Sequence, residues 1–481
     1  MRQARSDVNA VVKDWRERKV VIVGVARQGL ALARYLALHG ARVTMNDQLP
    51  AEKLVAARQS LADLIYAGVP VEWVCGGHPL SLLDGIDLLC ISGGVSADLP
   101  LVAEARRLGI PVSNDSQIFL EVAPCETIGI TGSAGKTTTT TLVGRIAQAA
   151  VEQGRAGTPY RKVWVGGNIG TPLILDVDEM HPNDLAVIEL SSFQLEIMTR
   201  STGVAAVLNI TPNHLDRHGT MEVYTAAKAR ILEYQRKGDA AVLGRDDPGA
   251  WSLLPKVKGR VLSFGFTDLA PGQAGTFLKD DAIYLRRPNH ADTFIMKREH
   301  ISLRGEHNLL NVMAACAIAA AAGLPVEAMQ AGVSGFTGVS HRLEFVRSWH
   351  GADWYNDSIA TAPERTIAAI LSFQESLVLL AGGRDKKLPW GDFAELVRCR
   401  VDHLVLFGEA SGVILDALAL RGDERFTVTR CAGLHEAVQA AAQVAQPGDV
   451  VLLSPGGTSF DEFKDFEERG ECFARWVKDL N

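Results

Sequence analysis

Apolar residues along this chain gather into short, often β-branched runs, each closed by a glycine or polar turn and followed by helical spacing. Val20–Val23 is the first such run; a glycine turn, a helical pattern and a second strand at Val43–Met45 follow it. This is the opening of a βαβ unit, because a buried parallel strand reads as a continuous apolar run while its crossover helix shows one apolar face. The rhythm returns in "GIDLLCISGGVS" and "GIPVSND", which predicts an open parallel sheet. A second series starts near Asp115, where "ETIGI" is a strand and "TTTTLVGRIAQAA" a helix. It continues through "LAVIELSSFQLE" and "AVLNITPNHLDRHGTMEVYTAAKARILEY". A third begins near Val339 and carries "HRLEFV", "WYNDSIATAPERTIAAI", "LVLLAGGRDKK", "VDHLVLFGE" and "VVLLSPGGTSFDEFKDFEERG". Strand ends at Asp357-Ser358, Gly382-Gly383 and Ser454-Pro455 would collect polar groups on one edge of that third sheet.

The expected architecture is α/β with three domains: a Rossmann-like domain over 1–114, a central P-loop ATPase-like domain over 115–338, and a second Rossmann-like domain over 339–481. A chain of 481 residues agrees, being long for a single core. Short β-prone pieces between Arg245 and Glu299 fit no unit of the rhythm, and we assign them to the periphery of the middle domain. Composition mainly excludes. Hydrophobic residues at 47% and charged residues at 22% are ordinary for a globular chain. A net charge of −7 gives no footprint for nucleic acid, and no apolar stretch is long enough to insert in a membrane. The basic start "MRQARSDVNAVVKDWRERK" has no apolar signal core. Seven scattered cysteines without a C-x-x-C pair read as reduced thiols. A cytoplasmic protein is expected, with a monomer as the default.

Two glycine turns carry the candidate chemistry. The first, Gly24-Val-Ala26-Arg-Gln-Gly29, has Ala26 where a dinucleotide fingerprint needs the glycine that lets backbone approach a pyrophosphate. A plain sheet without ligand and a nucleotide held without close pyrophosphate packing both remain open there; NAD fits least. Asp47, ending the second strand, stands where a ribose-binding acid would lie. The second turn, "ITGSAGKTTTT", joins a strand to a helix and ends in Gly135-Lys136-Thr137, but Ile130 occupies the place of the first P-loop glycine. Exposed N–H groups and the helix dipole at such a turn favour an anion. Lys136 would carry charge to terminal phosphates, and Thr137 would offer a hydroxyl to Mg²⁺. Ligands of an α/β sheet collect at the carboxyl ends of strands, so Glu189 and His214 should face the same crevice, Glu189 as a second partner for Mg²⁺. Lys228 lies on a helix, where a solvated cation is the ordinary outcome.

Taken in order, "TGSAGKTTT", "ELSSFQLE", "ITPNHLDRHG", "YTAAKARI", "GEHNLLN", "SHRLE", "NDSIAT", "GGRDKK" and "SPGGTSFDEFKDFEERG" resemble the Mur ligases over nearly the whole chain. In that family the loop is G-x-x-G-K-T, so the missing first glycine is the family form. The resemblance implies ATP-driven ligation of D-glutamate to UDP-N-acetylmuramoyl-L-alanine, a step of peptidoglycan precursor synthesis that passes through an acyl phosphate. Gly132, Ser133, Ala134, Gly135, Lys136, Thr137, Thr138 and Thr139 would hold the ATP phosphates, with Asn311, Arg342 and Asp357 at adenine or ribose. Two Mg²⁺ sites are implied, Thr137 with Glu189 at one and His214 with Lys228 at the other. Beside Mg²⁺ an ammonium is electrostatically untenable, so Lys228 is expected as a carbamate, as the matching lysine is in the family. Arg27, Gln28, Asp47, Ser92 and Gly94 would meet the uridine end, and Asn168 the muramoyl path. Glutamate would meet Thr361, Lys386, Ser459 and Phe466. Ligands that touch three separate units also imply domain closure.

One departure stands beside the amino-acid site. The family pattern N-D-S-K-A-T-N reads Asn356-Asp-Ser-Ile-Ala-Thr-Ala362 here, so Ile359 replaces a lysine and Ala362 an asparagine. The same ligation with L-glutamate is therefore an alternative. From a different class, a nucleotide-sugar oxidoreductase using NAD is the rival, and a plain P-loop ATPase a third reading.

Overall fold

The fold is described from a computed structural model covering residues 14–69, 71–154, 160–420, 422 and 424–480. Most of the basic amino-terminal segment read above for a signal sequence lies outside the described residues. Three sheets form the framework. The first contains β1 (Lys19–Val23), β2 (Arg42–Asp47), β3 (Val71–Cys75), β4 (Leu88–Ile91) and β5 (Val112–Ser113) in the order β3-β2-β1-β4-β5, all parallel. Val20 to Val23 are buried, and the following helix, Arg27–Leu38, buries Ala31, Leu32, Tyr35 and Leu36 on one face. Each of the two leucines contributes roughly 1.5–3 kcal/mol by leaving water.

The second sheet has nine strands: β6 (Glu126–Thr131), β7 (Val163–Gly167), β8 (Leu185–Glu189), β9 (Val204–Val207), β10 (Ala240–Gly244), β11 (Arg260–Gly265), β12 (Gly275–Lys279), β13 (Ala282–Arg286) and β14 (Thr293–Lys297). Their order is β14-β13-β12-β11-β10-β9-β6-β8-β7. β6 sits between β8 and β9 in parallel register, so the loops leaving these three strands emerge side by side. The stretch from Arg245 to Glu299 supplies the far edge of this sheet. β11 and β12 continue the parallel part, whereas the β12–β13 and β13–β14 pairs are antiparallel. The direction changes at Asp280-Asp281, both left-handed at φ 49° and 55°, which is the two-residue hairpin turn that matches strand twist.

The third sheet contains β15 (Glu344–Trp349), β16 (Ala352–Asn356), β17 (Leu377–Gly382), β18 (His403–Phe407), β19 (Thr427–Arg430) and β20 (Val450–Gly456), in the order β15-β16-β20-β17-β18-β19. Only the β15–β16 pair is antiparallel. β20 runs through Ser454-Pro455 rather than stopping there. The chain divides into two compact units: residues up to Ile301 with His307–Ser334, and Ser302–Glu306 with Gly335 onward. The five- and nine-stranded sheets belong to the first unit and the six-stranded sheet to the second. Among the described residues no helix is long and apolar enough to cross a membrane.

Candidate functional site

In the first unit the Lys136–Glu152 helix begins directly after the glycine turn at the end of β6. Gly135 is its N-cap at φ +80°, and a Cβ there would come within 2.2 Å of Asn311 Oδ1, so only glycine fits. The turn is held from the neighbouring strand. Ser133 N–H donates to the Asn209 carbonyl at 2.9 Å, Ala134 N–H to Asn209 Oδ1 at 2.8 Å, and the Ser133 hydroxyl to the Thr211 carbonyl at 2.9 Å. Thr139 Oγ1 reaches Asn311 Oδ1 at 3.4 Å. The sequence-predicted phosphate residues and Asn311 are thus one assembly. Lys136 Nζ donates to Gly132 O at 2.9 Å and Ser133 O at 3.3 Å, folded back over its own loop.

Glu189, the last residue of β8, is buried and held by both oxygens: Thr137 Oγ1 donates to Oε2 at 2.8 Å and Asn168 Nδ2 to Oε1 at 2.9 Å. Arg27 Nη2 donates to the Asn168 carbonyl at 3.1 Å, which ties the first sheet's turn to this centre. His214 is exposed and left-handed at φ 53°, and its ring lies edge-on to Phe193 at 5.2 Å.

Lys228 departs from the ordinary outcome for a helix lysine. It is 1% exposed, because the Met221–Glu233 helix turns this face onto β6 and the glycine turn. Its Nζ donates to Gly132 O at 2.9 Å and lies 4.6 Å from the centre of the Tyr224 ring. Burial, and then repulsion from Lys136, hold its proton affinity well below the ordinary lysine range, with Glu189 pulling the other way.

The first sheet's glycine turn proves tightly self-packed. A Cβ on Gly29 would sit 2.0 Å from the Gly24 carbonyl, so that glycine is needed for the helix to approach the turn. Asp47, read as a ribose partner, accepts Val25 N–H and Leu49 N–H at 2.9 Å each. Ser92 is buried with its N–H on the Val23 carbonyl at 2.9 Å, and the Gly94 carbonyl accepts Arg217 Nη1 at 3.2 Å. The Gln28 side chain lies against Gly93. β1 and β4 are adjacent, so these residues share one strand-end crevice.

In the second unit the loops after β16, β17 and β20 converge. Asp357 is buried, accepts the Ser454 hydroxyl at 2.8 Å and Leu343 N–H at 3.3 Å, and is pushed up to about 7 by burial. Arg342 precedes Leu343 and pulls the Asp357 value back down. Lys386 Nζ donates to Thr361 Oγ1 at 3.2 Å. Ser459 is buried beside Thr458, and the Phe466 carbonyl accepts the Ser358 hydroxyl at 2.8 Å. Sequence reasoning did not single out Asn209, Tyr224, Arg365 or Arg469. Tyr224 carries a detectable signal, standing four residues before Lys228 on one helix face.

Known proteins resemble this chain over nearly its whole length. Residues 18–114 match the MurD-like N-terminal domain of Mur ligases, 130–319 the Mur ligase middle domain, and 341–457 the Mur ligase glutamate ligase domain. The chain is 40% identical over 465 residues to the UDP-N-acetylmuramoylalanine–D-glutamate ligase of Symbiobacterium thermophilum, covering 97% of this chain and 99% of that one. Identity to the same-named protein of Pelotomaculum thermopropionicum is 40% over 473 residues, covering 98% and 99%. Among solved structures, MurF from Acinetobacter baumannii aligns over 96% of this chain and 93% of that chain with a TM-score of 0.58 at 18% identity.

Proposed function

The chain belongs to the Mur ligase family, and on that premise we propose how its residues share the work. The enzyme is an ATP-dependent ligase that joins D-glutamate to UDP-N-acetylmuramoyl-L-alanine in peptidoglycan synthesis, releasing ADP and phosphate. D-glutamate, rather than its enantiomer, follows the names of the relatives that are 40% identical. The terminal carboxylate of the nucleotide substrate accepts the γ-phosphoryl group, and the glutamate amine then displaces phosphate from the acyl phosphate.

Charge dominates this chemistry, because a carboxylate and a triphosphate repel one another and phosphoryl transfer is largely positioning and neutralisation. The N–H groups of the first turn of the Lys136–Glu152 helix would cradle the phosphates, on a glycine turn whose Ser133 and Ala134 N–H groups are fixed by Asn209. Lys136, now bonded to loop carbonyls, would turn to the terminal phosphates. The donor set also fits Mg²⁺. Thr137 and Glu189 place a hydroxyl and a carboxylate in contact beside the phosphate turn, and a phosphate-bridged Mg²⁺ needs few protein ligands. Among the described residues no three His, Cys, Asp or Glu side chains form a metal cluster by themselves. His214 and Lys228 would serve a second Mg²⁺. Burial that disfavours the ammonium suits Lys228 to carbamylation, in which the neutral amine takes up CO₂ and releases a proton. Bound Mg²⁺ would supply neutralisation of the phosphate charge.

Residues 1–114 would hold the uridine end through Arg27, Gln28, Asp47, Ser92 and Gly94, and Asn168 would lie along the muramoyl path. Residues 115–338 would hold ATP, with Asn311 near the nucleoside. Residues 339–481 would bring Arg342 and Asp357 to the nucleoside and Thr361, Lys386, Ser459 and Phe466 to glutamate. Cytoplasmic placement is supported by the ATP and nucleotide substrates. The observation that carries the assignment is Glu189 held at once by Thr137 and Asn168 at the mouth of the glycine turn. The test is phosphate release from ATP with UDP-N-acetylmuramoyl-L-alanine and each glutamate enantiomer. Release that requires the nucleotide and D-glutamate together is expected; release with ATP alone at the same rate would sink the ligase.

A further inference from the structure

Within the segment Ser358 to Thr361 of the second unit, three residues receive hydrogen bonds from three different cations. Arg469, wholly buried, donates from Nε to Ser358 Oγ at 2.9 Å and from Nη2 to the Ser358 carbonyl at 2.8 Å, while its Nη1 reaches the Gly457 carbonyl at 3.1 Å. Arg365, exposed in the first turn of the Pro363–Ile370 helix, donates from Nη1 to the Ile359 carbonyl at 3.4 Å. Lys386 donates to Thr361 Oγ1 at 3.2 Å.

None of the three forms an ion pair with a carboxylate among the described residues. The contrast with Arg384, two residues before Lys386, is direct. Arg384 is clamped on Glu409 through two bonds of 2.9 and 3.0 Å. Of the nearby acids, Asp385 accepts Trp390 Nε1 at 3.2 Å and Asp461 accepts Glu409 N–H at 3.3 Å, while Asp461, Glu462 and Asp357 favour the charge of Arg469 without pairing with it. Arg365 also stands at the positive end of its helix, where a cation is unfavourable unless an anion joins it. Partial burial first, then Arg365, and more weakly Arg469 lower the proton affinity of Lys386, with Glu364 acting in the opposite sense. Three cations on one loop, none of them in an ion pair with a carboxylate among the described residues, suit the anionic group of a substrate.

We propose that Arg365 is a specificity-determining residue of the amino-acid pocket, a rim cation that with Lys386 reads a substrate carboxylate above the buried charge of Arg469. It supplies from the next helix the positive charge that Ile359 removes from the loop itself. The inference rests on the ligase assignment and adds to it the residue that selects a dicarboxylic amino acid.

The test uses the full-length chain with UDP-N-acetylmuramoyl-L-alanine, ATP and Mg²⁺, comparing D-glutamate with D-glutamine, which has the same length but a neutral side chain. Arg365→Met is expected to raise the D-glutamate KM about 10-fold, a size suited to an exposed charge. The kcat, the ATP KM and the melting temperature should be unchanged, and the preference for glutamate over glutamine should fall by the same factor. Adding Ile359→Lys to that variant should recover most of the loss, which a merely structural role for Arg365 would not produce. An unchanged D-glutamate KM, an equal rise in the ATP KM, or no recovery from Ile359→Lys would each overturn the proposal. If the wild-type chain releases phosphate with no acidic amino acid at all, the ligase assignment itself fails, and this inference with it.

Discussion

Lys228 in the first unit and Arg469 in the second are withdrawn from water to 1% and 0% exposure, yet their surroundings differ in kind. Lys228 has one close carbonyl, an aromatic face and a repelling neighbour in Lys136. Arg469 has three oriented acceptors on two loops. Burial drives the lysine toward the neutral amine, whereas the guanidinium, lowered by burial to about 10, keeps its charge at neutral pH. An amine can shed its proton at modest cost and a guanidinium essentially cannot. The first suits the nucleophilic nitrogen proposed for Lys228, and the second supplies a fixed charge bonded to the loops at Ser358 and Gly457.

The sharpest way to break this contrast is to remove each cation. Lys228→Met should lower ligation at least ~1,000-fold, the scale on which charge-stabilising groups act, while the melting temperature holds or rises, because an apolar chain of similar size replaces an unwelcome charge. Short carboxylic acids added to a Lys228→Ala enzyme should restore part of the rate. Full activity in either variant, measured as phosphate release, would remove Lys228 from the site. Arg469→Met should behave oppositely in stability, losing about 3–5 kcal/mol in denaturant unfolding because buried acceptors on Ser358 and Gly457 lose their donor. A loss below ~1 kcal/mol would mean the guanidinium is not holding those loops.

A smaller effect sharpens the chemistry of the first centre. Glu189→Gln keeps the shape and can still bond Thr137 and Asn168, so the fold should persist while ATP turnover drops about 100-fold and the Mg²⁺ concentration needed for half-activity rises. Unaltered Mg²⁺ dependence would place the metal elsewhere. The smallest effect concerns pH. Asp357 holds its proton in the folded chain up to about 7, against 3.8 for an ordinary aspartate, so the folded state binds more protons than the unfolded between those values. Stability should therefore fall as pH rises through that window, and Asp357→Asn should flatten the slope. A slope unchanged in Asp357→Asn would assign it to another group.

Much of the site was readable before any fold was known. Lys136, Thr137 and Glu189 follow from strand-end chemistry, since a glycine turn before a helix and an acid closing the next apolar run share one sheet edge. Asp47 follows from the same logic as a strand-end acid, and the folded chain adds that its oxygens accept backbone N–H groups of Val25 and Leu49. The stretch from Arg245 to Glu299 was legible as β-prone and peripheral to the middle domain, but not as an extension of its sheet, because short strands lack the length to show whether they extend a sheet or stand apart. Asp280-Asp281 could have signalled a hairpin, though Asn-Gly and Asp-Gly are the stronger cues.

The order of apolar runs, turns and helical patterns settled the α/β class, the three sheets and the placement of the phosphate loop, because strand and helix periods are local properties of the chain. Only the folded arrangement decided that Lys228 is buried rather than solvated, that Asn209 steadies the loop, and that Arg365, Lys386 and Arg469 meet on Ser358–Thr361. Those outcomes depend on which residues distant in sequence approach one another, and desolvation and Coulomb repulsion act through space rather than along the chain.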